Sequence, residues 1–477
     1  MHTTTMHTTT YVDPALRAAV LDAHPGLRCE PRYFNLLQEV LYPIHFDDDT
    51  FAPVLSSQRL AELDGKASVC VGKNYQSQPY LDAYTRTTGH RFRLSVHSFW
   101  EGKARTVLDI GLDPALEAVY RADLAQMPMT PVAFTSGQKL RRNHLYAARD
   151  HDQTRANDCP SSYAETQAAI QYLNSQTPNF FTSMMRKYGD EALAVALQSE
   201  NPPRRHQNQV TLRYMFGQPQ QFYRASKRGR SRRLFPAHCG LNTLSKDVAA
   251  VLLQDCLEFD LASSQLAICA YLWQVPSVIA FLESGCSIWA ELIAFLGLEP
   301  HNKPALKVAL YSLIYGASDR RIVRDLNLGL DLGDESRAIA ERLLQHPLIA
   351  NLSAAREQRL AQVKRDGGAR DCYGAWIPIP ADRYGRKSKK QSRNPRSVLA
   401  QQAQAIEFRV LAPVFTLMQD NEDASIVQWA HDGFTLRVRD KQRMGSWVER
   451  LSTAVANEAA TLGIRTRLEV TRDPRQR

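Results

Sequence analysis

The sequence has no apolar run as long as the roughly 18 residues that a membrane-spanning helix needs. Its first residues, MHTTTMHTTT, lack the charged and then apolar layout of a secretory signal. The eight cysteines form no Cys-x-x-Cys pair and no cluster with histidine, which argues against a disulfide framework and against a zinc site. From these absences we expect a soluble cytoplasmic protein that has no membrane partner.

Acidic residues are missing from two strongly basic stretches. RASKRGRSRR (224–233) and RYGRKSKKQSRNPR (383–396) contain six and seven Lys or Arg and no Asp or Glu, within a chain of formal net charge +10. One basic run is as often a solvated face as a binding site, but two runs that flank an apolar region favour contact with nucleic-acid phosphates. We therefore predict a nucleic-acid partner.

Apolar patterns and turn residues divide the 477-residue chain into zones, and its 44% hydrophobic content is enough for more than one core. The first zone, 1–135, mixes short helical patterns with one alternating stretch typical of a strand, RFRLSVHSFW (91–100), and suggests no role. The second, 136–235, is mainly helical. Buried runs alternate with helices in the third, 236–345. The last, 346–477, contains a long helix followed by two short strands.

Two aspartates follow short apolar segments that are typical of strands. LEFDLASSQLAICAYLW (257–273) carries Asp260, and SIVQWAHDGFTLRV (425–438) carries Asp432 in a predicted turn between two strands. Carboxylates at the ends of adjacent strands are hard oxygen ligands, and a pair of them can hold two Mg²⁺ ions. Each acid taken singly is more often an ordinary strand-end or turn residue, so the pair is a hypothesis.

The segment HNKPALKVALYSLIYGAS (301–318) predicts one helix, with Pro304 in its first turn and Gly316 at its end. Two ammonium groups one turn apart suit a triphosphate, and an aromatic ring one turn further on can pack against a sugar and base. The alternative is an ordinary amphipathic helix with a lysine edge. The residues that recur every four positions, and so share a face, are Lys303, Lys307 and Tyr311.

In order and spacing, these segments resemble the family A nucleic-acid polymerases, which comprise the bacterial polymerase I type and the related single-subunit phage enzymes. DLASSQLAICAYLW, from Asp260 onward, is similar to motif A. The 301–318 segment has the spacing of motif B through Tyr315 and Gly316, and VQWAHDGFTL resembles the apolar strand and His-Asp of motif C. The resemblance spans residues 225–470.

The resemblance implies an α+β right-hand fold and a bacterial, phage or plasmid-encoded setting. It implies extension of a primer 3′-hydroxyl with dNTPs on primer-template DNA, through two Mg²⁺ ions or Mn²⁺ in their place, with accessory replication proteins as further partners. In the N-terminal zone, no pair of acids has the Asp-x-Glu setting that would suggest a proofreading exonuclease. The nearest candidate, LDIGLDPALE (108–117), is typical of a turn and helix start. The implied parts are an N-terminal region without an assigned role (1–135), a helical thumb (136–235), an antiparallel palm (236–274 and 346–477) and helical fingers (275–345).

The resemblance also implies roles for single residues. The implied metal ligands are Asp260, the Leu261 carbonyl and Asp432, and Lys307 completes the implied catalytic set. The implied nucleotide-binding residues are Leu261, Gln265, Lys303, Tyr311 and Tyr315. The implied contacts to nucleic acid are Arg224, Arg230, Asn242, Arg386, Lys387 and His431.

Four positions depart from the family pattern. Gln265 stands where the DNA polymerases have a glutamate that crowds a ribose 2′-hydroxyl and the RNA polymerases have a glycine. Lys303 replaces an arginine and loses its bidentate fork. Trp289 stands near the place of a phosphate-contacting histidine, and Gly433 replaces the motif C glutamate.

Two alternatives remain open from the sequence. One is an RNA polymerase or primase-like synthase of the same superfamily, for which Gln265 is the discriminating residue. The other is an inactive homologue that only binds nucleic acid. Because Asp260, Asp432 and Lys307 are all retained, an active enzyme is the simpler interpretation.

Overall fold

The computed structural model describes most of the chain. The described residues are 10–11, 14–29, 31–43, 45–47, 50–56, 84–85, 88–90, 92–94, 104–127, 133–134, 163–176, 178–217, 220–226, 231–237, 239–315, 317, 319–330, 335–379, 395–419 and 421–476.

Helices and strands alternate irregularly along these residues. The helices are α1 (Pro14–Ala23), α2 (Gly26–Cys29), α3 (Pro31–Leu41), α4 (Pro114–Leu124), α5 (Ala164–Ser175), α6 (Pro178–Leu197), α7 (Pro202–Gly217), α8 (Lys246–Leu252), α9 (Ser264–Leu272), α10 (Pro276–Glu283), α11 (Ile288–Leu296), α12 (Lys303–Ile314), α13 (Asp319–Leu330), α14 (Glu335–Gln345), α15 (Pro347–Asp366), α16 (Arg396–Met418) and α17 (Met444–Thr461). The strands are β1 (Thr10–Tyr11), β2 (Val54–Ser56), β3 (Arg93–Leu94), β4 (Ala104–Asp109), β5 (Ala133–Phe134), β6 (Tyr223–Ala225), β7 (Leu234–Pro236), β8 (Leu257–Leu261), β9 (Gly368–Arg370), β10 (Trp376–Pro378), β11 (Ala424–Trp429), β12 (Gly433–Val438) and β13 (Leu468–Arg472).

The chain folds into two compact units. The first unit comprises Met1–Asp158, Leu173–Arg224 and Phe235–Asp255. The second comprises Cys159–Tyr172, Ala225–Leu234 and Cys256–Arg477.

The first unit combines a small antiparallel sheet with helices. Its strand order is β2-β4-β3, and the apolar sides of α1, α3 and α4 contribute to one buried cluster that includes Leu36, Leu37 and Tyr120. The turn between β4 and α4 is of the ordinary kind predicted for LDIGLDPALE. Asp113 caps α4, because its Oδ1 accepts hydrogen bonds from the backbone N–H groups of Ala115 (3.0 Å) and Leu116 (3.1 Å).

The second unit contains a four-stranded antiparallel sheet with the order β11-β12-β8-β13. Residues along β8 alternate between buried and half-buried, as expected for a sheet with one covered face. Phe259 is on the covered face and stacks on Phe434 of β12 at 4.9 Å between ring centroids. Trp429 of β11 stacks on the same ring, and Phe415 of α16 packs on Trp429. Asp260 therefore lies on the face opposite this aromatic layer.

Most of the predicted elements are present where they are described. The predicted motif B helix is α12, the predicted long helix is α16, and the two strands predicted around Asp432 are β11 and β12. Of the strand predicted at 91–100, the structure describes residues 92–94, of which β3 comprises the last two, and the remainder lies outside the described residues. The mixture of helices with small antiparallel sheets agrees with the predicted α+β class. The division into palm, fingers and thumb stays a prediction.

One membrane-related observation concerns α10 and α11. Within the described ranges, no single helix has both the length and the apolar character to cross a bilayer. These two helices meet the requirement of length and composition only as a pair, and that pair is bent by 109°.

A close approach between β8 and β12 requires glycine at position 433. Gly433 pairs with Asp260 across the strands. A Cβ atom at this position would lie 2.2 Å from the carbonyl oxygen of Phe259, a backbone atom that cannot rotate away. Glycine at this position is therefore needed for the contact between these two strands.

We predict that Gly433→Ala lowers the free energy of unfolding by about 1–3 kcal/mol, because the strands must separate to admit the methyl group. Urea unfolding measures this change. Gly445→Ala is the matched control: its Cβ would meet only the flexible guanidinium end of Arg475 at 3.0 Å, so it should leave stability nearly unchanged. A Gly433→Ala protein as stable as the unmodified one would contradict the steric interpretation.

Candidate active site

The antiparallel sheet of the second unit brings Asp260 and Asp432 to neighbouring positions on β8 and at the start of β12. Gly433 is directly opposite Asp260. One residue further, the backbone N–H of Leu261 donates to the carbonyl oxygen of Asp432 at 2.9 Å. The same N–H also lies 3.0 Å from the Asp260 carboxylate, as a second acceptor. The two strand-end acids predicted from the sequence are thus held on adjacent, hydrogen-bonded backbones.

The charges at this site act on one another. Burial raises the pKa of Asp260 to about 6, and the negative charge of Asp432 adds to this effect. The ammonium group of Lys307 on α12 opposes the shift and favours the ionised carboxylate. The fold therefore brings Asp260, Asp432 and Lys307 close enough to interact electrostatically.

The donor set at this site suits a hard cation. Asp260, Asp432 and the Leu261 carbonyl offer only oxygen ligands, and Mg²⁺ in proteins is commonly held by one or two carboxylates while water and substrate phosphates complete its shell. A divalent cation would also offset the charge of Asp432, which adds to the effect of burial in raising the pKa of Asp260. Among the residues that the structure describes, no group of three or more His, Cys, Asp or Glu side chains is arranged to hold a metal. Two neighbouring carboxylates nevertheless suit a hard cation that takes its remaining ligands from water or a bound ligand, and the Leu261 carbonyl stays a predicted third ligand.

Helix α12 presents its cationic edge beside these acids. Lys303 and Lys307 are exposed one turn apart, while Tyr311 is half-buried one turn further on. The Lys307 ammonium lies 5.6 Å from the centre of the Tyr311 ring. Burial, together with the charges of Asp432 and Asp260, raises the pKa of Tyr311, so its hydroxyl stays protonated. Trp289 contacts the same ring edge-on, at 6.3 Å between centroids.

Gln265 is buried and hydrogen-bonded at both ends of its amide. It lies in the first turn of α9, after Ser263, which adopts a left-handed backbone conformation at φ 49°. Only 3% of Gln265 is exposed. Its Nε2 donates to the carboxylate of Glu407, and its Oε1 accepts from the hydroxyl of Tyr315 at 2.8 Å. The amide is therefore fixed in one orientation.

Glu407 and Arg233, which support Gln265, were not among the predicted site residues. Glu407 on α16 is fully buried and accepts two parallel hydrogen bonds from Arg233, from Nε at 3.0 Å and from Nη2 at 2.9 Å. Burial raises the pKa of Glu407 to about 7 against the effect of Arg233, and Asp432 and Asp260 raise it further. The sequence does contain a feature that could have identified Glu407: like Asp260, it is an acid among apolar residues, in AQAIEF.

His431 and Tyr315 complete the site. Burial lowers the pKa of His431 to about 4, and the positive charge of Arg233 lowers it further, so the imidazole is neutral at neutral pH. Burial likewise raises the pKa of Tyr315 to about 12, which keeps its hydroxyl available as the donor to Gln265.

The structure describes two of the other residues predicted to contact nucleic acid. Arg224, in β6, and Asn242 both belong to the first unit. The side-chain oxygen of Asn242 accepts hydrogen bonds from Gln221 and, at 3.3 Å, from Tyr223. Their predicted role stays a prediction. The positions that fall outside the described residues are Arg230, Gly316, Arg386 and Lys387.

The similarity of this chain to known proteins is distant. No protein-family model and no curated protein matches the chain. Among solved structures, the chain is similar to the polymerase (POL) domain of Pol1 from M. smegmatis, in complex with DNA primer-template and dNTP. The two are 13% identical over 69% of this chain, with a TM-score of 0.44, and this chain spans 64% of the other chain's length. Because the likeness is distant, we base the proposed function on the residues of the site.

We predict that protonation of Glu407 makes the free energy of unfolding depend on pH, and that Glu407→Gln removes this dependence. Its pKa is raised in the folded state to about 7 from 4.5, so the folded protein holds a proton that the unfolded chain releases between these values. The stability that Glu407 contributes through its raised pKa is therefore fully present below about pH 4.5 and is lost as the pH rises towards 7. In Glu407→Gln the slope of the free energy of unfolding against pH should be less negative by up to about 1.4 kcal/mol per pH unit.

Urea unfolding at several pH values between 5 and 7, with EDTA present, measures this slope. Glu341→Gln is a control that removes an exposed ion pair with Arg337, and it should change the free energy of unfolding by less than about 1 kcal/mol at each pH. A Glu407→Gln slope equal to that of the unmodified protein would show that this carboxyl does not titrate in the range.

Proposed function

We propose that this chain is a template-directed nucleotidyltransferase that adds dNTPs to a primer 3′-hydroxyl on a DNA template, without proofreading. The observation that carries the proposal is the placement of Asp260 and Asp432 on paired strands, with the charge of Lys307 acting on Asp260. The resemblance to motifs A, B and C of the family A polymerases supports the same function, because the three motifs supply these three residues.

Two Mg²⁺ ions fit the proposed reaction, with Asp260, Asp432 and the Leu261 carbonyl as their ligands. The chemistry they supply when bound is a lowered pKa for the attacking hydroxyl and neutralisation of charge on the leaving pyrophosphate. Mn²⁺ can take their place, since it prefers the same oxygen ligands. The protein supplies the ionised carboxylates, and Lys307 favours that ionised form at Asp260.

Helix α12 binds the triphosphate in this proposal. Lys303 and Lys307 are exposed on one face of the helix, and their ammonium groups match the charge of the β- and γ-phosphates. Tyr311 continues that face, and its ring packs against the sugar and base of the incoming nucleotide. Because its hydroxyl stays protonated, Tyr311 adds no negative charge beside the phosphates.

Gln265 selects the sugar, and its neighbours hold it in place. Glu407 accepts a hydrogen bond from the amide N–H of Gln265, and Tyr315 donates one to the amide oxygen. The Gln265 side chain therefore cannot rotate without breaking one of these two hydrogen bonds. A ribose 2′-hydroxyl that reaches this amide must therefore break a buried hydrogen bond or be excluded. Tyr315, 37% exposed, also offers a surface on the template side.

Contacts to the primer and template are expected to be made mainly to phosphates. Neutral His431 lies beside Asp432 and is proposed to contact the primer terminus without adding charge there. Base pairing with the template reads the sequence, so the protein needs phosphate contacts and shape selection instead of base-specific side chains.

We predict that Asp260→Asn and Asp432→Asn each lower the rate of primer extension at least about 10³-fold, because each removes an ionised oxygen ligand. Binding of primer-template DNA should stay within about twofold of the unmodified protein, since it depends mainly on basic residues. Single-turnover extension and a filter-binding assay give the two quantities.

The control for these variants is Asp440→Asn, an exposed acid just after the other end of β12 that caps a short turn, and it should retain activity. Efficient extension by either site variant would rule out the assigned metal ligands. A protein that binds DNA but extends no primer in its unmodified form would instead be the inactive binder.

We predict that Gln265→Gly raises the use of NTPs relative to dNTPs at least tenfold, about 1.4 kcal/mol in the ratio of kcat/KM values, because it removes the side chain that meets the 2′-hydroxyl. Tyr315→Phe should give a smaller rise, since it removes only one of the two hydrogen bonds that hold the amide. Tyr311→Phe, the matched loss of a hydroxyl from the same segment, should leave the ratio unchanged.

The comparison of NTP with dNTP use also distinguishes a DNA-synthesising enzyme from an RNA-synthesising one. An unmodified protein that uses NTPs as well as dNTPs would indicate that Gln265 hydrogen-bonds to the 2′-hydroxyl, and the RNA-synthesising alternative would then be the better assignment.

A further inference from the structure

A small hairpin of the second unit presents an exposed tryptophan beside an arginine. Strands β9 and β10 pair antiparallel, with Trp376 opposite Arg370. Ala369 and Ile377 point inward and are buried, so the alternation places Arg370, Trp376 and Pro378 on the outer face. Trp376 keeps 49% of its surface exposed, the second-largest exposed fraction among the described large apolar side chains.

The exposed indole is held in place by the hairpin itself. A Cβ atom on Gly368 would lie 2.7 Å from Cζ2 of Trp376, so the indole rests directly on the bare backbone of Gly368. Below the hairpin, Gln402 donates to the carbonyl oxygen of Arg370 at 2.6 Å. In the turn, Asp371 accepts a hydrogen bond from the buried Arg232 at 2.8 Å. The ring therefore loses little conformational freedom when something stacks on its outer side.

The hairpin and the helix before it carry exposed cations, with the exposed acid Asp366 among them. Arg370 is exposed, and its Nη1 is oriented by a 2.7 Å hydrogen bond to the carbonyl oxygen of Gly374. The last turn of α15, just before β9, carries exposed Lys364 and Arg365. In the sequence, the hairpin is followed by the basic run 383–396. An exposed aromatic ring with neighbouring cations offers a π-face for a base and charge for a phosphate.

We propose that the hairpin 368–378 is a binding site for single-stranded nucleic acid, in which one base stacks on Trp376 and a neighbouring phosphate contacts Arg370. The inference rests on the proposed function for the identity of the polyanion, and it places an unpaired stretch of template on this surface. It does not depend on catalysis, because a stacking contact needs only an unpaired base.

The test compares Trp376→Ala and Trp376→Phe in the full-length chain, with a labelled 12-nucleotide single strand and a blunt duplex of the same sequence as probes. Trp376→Ala should weaken binding of the single strand about tenfold, and Trp376→Phe should retain most of the affinity because it keeps a π-face. Affinity for the blunt duplex should stay within about twofold, since its bases are already stacked. Fluorescence anisotropy measures the affinity of the unmodified protein and of both variants for each probe.

Arg370→Gln tests the proposed contact between Arg370 and a phosphate of the single strand. It should lower the slope of log affinity against log salt by about 0.7 for the single strand, which corresponds to one lost phosphate contact. Phe295→Ala is the matched control, an exposed aromatic on α11 whose ring packs on His346. It should change neither affinity nor slope.

A second measurement covers the case in which Trp376→Ala does not fold. Adding the single strand should quench tryptophan fluorescence in the unmodified protein, and Trp376→Phe should lose a measurable part of that quenching. Equal quenching in both proteins, unchanged affinity in the alanine variant, or equal losses for both probes would overturn the assignment. Primer extension by the same preparations is scored separately, so an inactive enzyme that still shows the Trp376 effect refutes only the proposed polymerase function.

Discussion

The site depends on how closely β12 approaches β8 at Gly433. Ladder hydrogen bonds bring any two paired strands together, but here a side chain would collide with the carbonyl oxygen of Phe259. Without that side chain, the Leu261 N–H reaches the backbone of Asp432, and the two acids are held on adjacent backbones. The aromatic layer of Phe259, Phe434 and Trp429 fills the opposite face of the sheet and fixes its register.

Placing these acids together has an electrostatic cost that the surrounding residues reduce. Burial raises the pKa of Asp260 and of Glu407, and the charge of Asp432 adds to both effects. Lys307 opposes the shift at Asp260, and Arg233 opposes it at Glu407. The proposed binding of a divalent cation and a triphosphate would need such a balance at Asp260, because a carboxylate that holds a metal must be ionised while the nucleotide brings further negative charge.

Local patterns predicted the parts of the site that lie within one segment. The four-residue spacing of Lys303, Lys307 and Tyr311 predicted one helix face, and apolar alternation around Asp260 and Asp432 predicted the strands that carry them. Contacts between distant segments were not predictable in this way. Glu407 meets Arg233 across 174 positions and Gln265 across 142, and no short motif encodes either pair. The steric role of Gly433 was not predictable either, because it depends on the backbone of another strand. From the sequence alone, Gly433 is only a departure from the family pattern.

In the proposed function, this site joins a nucleotide to a primer under the direction of a template. Single-nucleotide incorporation tests it most directly: the unmodified protein, with Mg²⁺, is offered one dNTP at a time on four primer-templates that differ only in the first unpaired template base. The account predicts that each primer grows by one nucleotide mainly with the complementary dNTP. Equal incorporation of all four dNTPs regardless of the template base, or no incorporation on primer-templates that the protein binds, would contradict it.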